Sequence, residues 1–92
     1  MNRELKKQLK TFDKNMTLAR RVARAANTPF ERLQQIQNDI AETAIHVQDC
    51  LNVAIDCKHY SVEDVAALKW RLSDMEALYQ FCAERMGETR YG

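Results

Sequence analysis

Apolar residues near the start of the chain recur at Leu5, Leu9, Phe12, Met16, Ala19, Ala23 and Ala26, in steps of 4, 3, 4, 3, 4 and 3. Such steps keep side chains on one face of an α-helix, and a sustained seven-residue repeat requires a second helix to cover that face. Little interrupts helices of this kind. The 92 residues include one proline, Pro29, and two glycines, Gly87 and Gly92. That scarcity argues against turn-rich β-sandwiches and barrels. An apolar fraction of 46% with a net charge of +1 argues against disorder.

The breaks that do occur are legible. Asn27 suits a left-handed residue ending the first helix, over about 3–26. Thr28-Pro29-Phe30-Glu31 reads as an N-cap, a proline in the first turn and a carboxylate three after the cap. The second helix then covers about 29–58, with a stripe of Leu33, Ile36, Ile40, Ala44, Val47, Leu51 and Ala54. Ile45, Cys50, Val53 and Ile55 widen the stripe, which predicts contact with two neighbours. Ser61 caps a third helix over about 62–86, with Glu63 and Asp64 in its first turn. Its inner stripe reads Val65, Leu68, Leu72, Met75, Tyr79, Cys82 and Met86, with Gly87 as terminator and 88–92 as a frayed tail. The short connections make successive helices antiparallel. The expected fold is an all-α, elongated up-down-up three-helix bundle with coiled-coil-like seams, in one domain and oligomeric. The alternative is a helical hairpin or extended helix that completes its core only in an oligomer.

Trp70, Leu78 and Phe81 fall outside the third helix's inner stripe. Large apolar patches mark contacts, and tryptophan is over-represented among residues that dominate interface energy. These three are therefore candidates for an apolar interface, in a homodimer or with another protein. The competing reading is a rotated bundle that buries both sides.

Charge is distributed unevenly. Residues 1–24 hold eight cations against two anions, +6, and residues 25–92 hold six cations against eleven anions, −5. Arg3, Lys7, Lys10, Lys14, Arg21 and Arg24 form a stripe opposite the apolar seam, about 31 Å long at 1.5 Å per residue. Such a ridge suits an acidic protein surface or the phosphates of a nucleic acid. It also suits a merely solvated helix face, partly paired with Asp39, Glu42, Asp74 or Glu84. Phe12 is the only aromatic residue of the first helix and lies in the seam, which weighs against base stacking there.

Reaction chemistry finds little support. His46 and Cys50 stand at i and i+4, but Cys57 and Cys82 fall at other levels of the helices, and no CxxC or HExxH is present. The three cysteines read as buried structural thiols rather than metal ligands. Ser61 serves as a cap, Ser73 lacks a glycine-flanked elbow, and no glycine-rich loop can cradle a phosphate. No catalytic, cofactor or metal site is expected. The longest apolar run, Val65-Ala66-Ala67-Leu68, is far short of the ~20 residues a membrane span needs. Free thiols and the absence of a secretory apolar core predict a cytoplasmic protein. The sequence thus points to a non-catalytic helical module that binds protein. Its size suits an adaptor, regulator or inhibitor, including one encoded by a phage or mobile element. Nucleic-acid binding through the basic ridge is the alternative.

Overall fold

The computed structural model describes the backbone of residues 3–91 and the side chains of residues 3–88. Three helices follow one another, α1 (Arg3–Arg24), α2 (Phe30–Asp56) and α3 (Val62–Tyr91), and the described residues form no strand. The bundle measures 51 × 19 × 16 Å, with a radius of gyration of 14.9 Å. A compact domain of this length would have a radius of about 12 Å. The elongation follows from the sequence: with few turn-forming residues, helices of 22, 27 and 30 residues lie lengthwise.

Cross-links between helices fix the topology. Asp13 meets Arg71, Arg20 meets Asp74, and the carbonyl of Ala23 meets Arg85, so α1 and α3 ascend together. The Gln37 side-chain amide donates to the Tyr79 carbonyl at 3.1 Å, and because both residues lie about equally far from the short connection between Asp56 and Val62, α2 runs antiparallel to α3. The closest pairing is between α2 and α3, and α1 stands farther off. The core joins Leu5, Leu9, Met16 and Ala23 of α1, the α2 stripe from Leu33 to Ala54, and Leu68, Met75, Leu78 and Cys82 of α3. The stripes expected for α1 and α2 supply nearly all of their buried residues.

The start of α3 is capped as its sequence implies. The Asp64 backbone N–H donates to Ser61 Oγ at 3.2 Å, and the Ser61 N–H donates to Asp64 Oδ2 at 2.9 Å. This reciprocal box satisfies two amides that have no partner within the helix.

Several boundaries differ from expectation. α1 ends at Arg24 rather than at residue 26, and no described residue has a positive φ, so Asn27 is not left-handed. Thr28 does not cap α2. Its hydroxyl donates back to the Val22 carbonyl, and Pro29 occupies the cap position, with its carbonyl accepting from the Arg32 and Leu33 amides. A buried threonine beside a frayed α1 end satisfies a carbonyl there more directly than an amide of α2. α2 stops at Asp56 rather than at residue 58. α3 runs through Gly87 to Tyr91 instead of stopping at Met86, because glycine costs a helix only about 1 kcal/mol and does not end it. Gly92 lies outside the described residues.

Side-chain orientations differ as well. Ile45, Cys50, Val53 and Ile55 are exposed, so α2 meets its neighbours through the narrow stripe, with Gln37 beside it. The inward face of α3 follows the expected stripe at Val65, Leu68, Leu72, Met75, Cys82 and Met86, and differs at one turn. Leu78 is 6% exposed and lies in the core, whereas Tyr79, expected inside, is 40% exposed. Leu78 therefore cannot serve as an exposed interface residue. Phe81 is half-buried against the core, and of the three only Trp70, 65% exposed, stands well into solvent. No described helix is long and apolar enough to cross a membrane.

Candidate interaction surface

The basic ridge forms because its residues sit opposite the α1 seam, and all six of its cations are exposed. Among the described residues two ion pairs tie α1 to α3, and neither uses a ridge cation. Arg71 forks onto Asp13 with Nε to Oδ1 at 3.0 Å and Nη2 to Oδ2 at 2.7 Å. Arg20 Nη2 lies 2.8 Å from Asp74 Oδ2. Asp13 and Arg20 lie off the ridge, on the flank of α1 that turns toward α3. Of the carboxylates expected to neutralise the ridge, only Asp74 pairs with α1, and it takes Arg20. The six ridge cations therefore make no ion pair among the described residues.

Arg85 supplies a third tie. Its guanidinium donates to the carbonyls of Ala23 at 2.8 Å, Ala25 at 3.1 Å and Ala26 at 3.4 Å. These carbonyls lie where α1 ends and its own amides run out, and a cation there also offsets the helix dipole. Sequence reading missed Arg85, Arg71 and Arg20 as ties. The available signal was that Arg20 and Asp13 fall off the ridge spacing.

The structure brings together two features that the sequence left apart. A depression of about 480 Å³ between α1 and α3 is lined by Phe12, Thr17, Arg20, Arg24, Trp70 and Asp74, among others. Arg24 belongs to the ridge, so the exposed indole of Trp70 and the C-terminal end of the ridge share one face. Phe81 lies eleven residues beyond Trp70, roughly 16 Å along the axis, and does not line this depression. The far flank of α1 holds a second, more apolar groove of about 360 Å³ against α2. Phe12 and Met16 border both hollows, because α1 stands off from the α2–α3 pair.

The cysteines separate. Cys82 is wholly buried, Cys57 is half-buried and Cys50 is exposed, so the expectation of three buried thiols holds only for Cys82. Burial pushes the Cys82 thiol above its ordinary value, partly offset by the neighbouring Arg85 guanidinium. Among the described residues, no three His, Cys, Asp or Glu side chains converge as a metal site would require. The chain matches no known protein family, curated protein or solved structure.

Proposed function

We propose that this protein is a non-catalytic, cytoplasmic binding module that seats an acidic surface of a partner protein on α1. The supporting observation is the ridge Arg3, Lys7, Lys10, Lys14, Arg21 and Arg24, exposed and without ion pairs among the described residues, with Trp70 beside its end. Unpaired cations speed encounter with an acidic surface, and a neighbouring indole supplies desolvated contact area. Such a module acts as an adaptor, regulator or inhibitor, alone or as a homodimer.

One observation favours a second reading. An exposed tryptophan beside cations is also a platform on which an unpaired nucleotide base stacks while its phosphates meet the ridge. Fluorescence anisotropy with a labelled single strand and a labelled duplex, across a salt series, separates the two. Phosphate contact gives a log K that falls with log salt in proportion to the phosphates neutralised. Absence of binding at low salt removes the nucleic-acid reading. The protein reading is tested by nuclease-treated affinity capture from the native host. Proteins held by the wild type and lost from Lys10→Glu/Lys14→Glu/Arg21→Glu support it. A capture profile unchanged by that reversal, together with no nucleic-acid binding, sinks the use of the ridge altogether.

A further inference from the structure

We propose that the groove between α1 and α2 is a docking site for an amphipathic helix of a partner protein, one that carries acidic side chains along one flank. The proposal rests on the protein-binding reading above and names the kind of partner.

The groove is built to take a helix. Met16, Ile36, Ile40 and Met75, all core residues, close its base, and Phe12 and Val22 mark its ends along α1. Its accessible apolar surface comes from Leu18 with the half-buried Phe12, Ala19 and Val22, and its volume is about 360 Å³. From Phe12 to Val22 is roughly 15 Å, or about three helical turns. Two helices that stand apart offer a fourth the usual seat between their ridges. Leu18 borders the groove and is 50% exposed, a large apolar side chain on its lip that no described residue covers.

The α1 lining of the groove carries no charge itself, but the charges that flank the groove differ. Lys14 and Arg21 stand four residues before and three after Leu18, hence beside it on the α1 surface. The α2 wall presents Asp39, with Glu42 three residues on, while Arg32 sits at one end of the groove. A docked helix therefore places its acidic flank over α1 and keeps anions away from Asp39. This sets its rotation as well as its composition.

A second copy of this chain is a poor occupant. A three-turn occupant needs apolar residues at spacings of three, four and seven. The exposed large apolar residues are Leu18 on α1, Ile45, Val53 and Ile55 on α2, and Val62, Trp70 and Tyr79 on α3. Their spacings within a helix are 8 and 2 on α2 and 8 and 9 on α3. Although Trp70, Ala77 and Phe81 stand at 7 and 4, Phe81 is packed against this chain's own core, so the described side chains offer no fully exposed stripe of that kind.

The test is a displayed library of amphipathic helical peptides whose flank positions vary among Glu, Gln and Lys. It is selected against the full chain, and the recovered peptides are titrated against variants. Expected binders carry Glu along one flank and weaken at least roughly tenfold on Leu18→Lys and on Lys14→Glu/Arg21→Glu. They change less than about twofold on Trp70→Ala. Leu18→Lys is made at a half-exposed position, and an unchanged circular dichroism melt verifies that it folds. Recovered peptides that are indifferent to Leu18→Lys, that are rich in Lys, or that bind no tighter than about 100 μM overturn the proposal. So does a dimer in light scattering that Leu18→Lys converts to monomer, since the groove then holds a second copy. An acidic host protein that is lost with the reversed ridge but kept by Leu18→Lys overturns the groove alone and leaves the broader reading standing.

Discussion

Arg85→Met removes the tie between α3 and the end of α1 while keeping a flexible apolar stem of similar reach. Three carbonyls lose a charged donor: Ala23 in a part-buried setting, and Ala25 and Ala26 in exposed ones. A hydrogen bond to a charged group is worth about 1.5–3 kcal/mol, and water replaces most of that for the two exposed carbonyls. Loss of the cation at the α1 C-terminus adds about 0.3–1 kcal/mol. The expected cost is about 2 kcal/mol, most of it from the Ala23 bond. For a domain of this size that lowers Tm by about 8–16 °C. Urea and thermal melts followed by circular dichroism measure it, and Arg85→Lys, with the charge but not the fork, should fall between. Hydrogen exchange should accelerate first in the last turn of α1. A melt of Arg85→Met within about 0.5 kcal/mol of the wild type would refute the reasoning, because the three bonds would then be no better than bonds to water.

Four further outcomes are expected. Gly87→Ala should stabilise the protein by about 0.5–1 kcal/mol in the same melts, since Gly87 is helical and an added Cβ meets nothing within 4 Å. Leu78→Ala should cost about 2–4 kcal/mol by leaving a cavity, whereas Trp70→Ala should cost under about 1 kcal/mol; equal costs would place the indole in the core. Alkylation followed by mass spectrometry should modify Cys50 first, Cys57 next and Cys82 only as the chain unfolds. The buried Cys82 thiol is raised above 9.0, so its contribution is complete below that value and fades as pH climbs through the folded-state value. The stability of the wild type relative to Cys82→Ala should accordingly narrow as pH rises above about 9.

How much of this was readable depended on how one-sided each helix is. α1 divides cleanly into a seam and a cationic back, so both its core residues and its ridge followed from spacing. α2 carries extra apolar residues, and Ile45, Val53 and Ile55 misled because periodicity cannot tell a wide buried stripe from a narrow one with exposed neighbours. α3 has apolar residues on most of its sides. A small rotation exchanges Leu78 for Tyr79, and packing against α2, with Gln37 holding the Tyr79 carbonyl, decides between them. The cap at Ser61 was local and was read correctly. The cap at Thr28 failed because its real partner, the Val22 carbonyl, belongs to the preceding helix. Arg85 acts across some sixty residues of chain, and no local pattern encodes that. The meeting of Trp70 with the ridge was invisible for the same reason.

Trp70 is the sole tryptophan of the chain, and it stands in solvent next to the cationic edge. The molecule therefore carries an unlabelled optical gauge at the spot where a visitor would settle. Water around a bare indole reddens its emission, and whatever displaces that water shifts the light toward blue. A visitor resting on the opposite flank leaves the colour alone, so a single emission spectrum tells which side of the first rod has been covered.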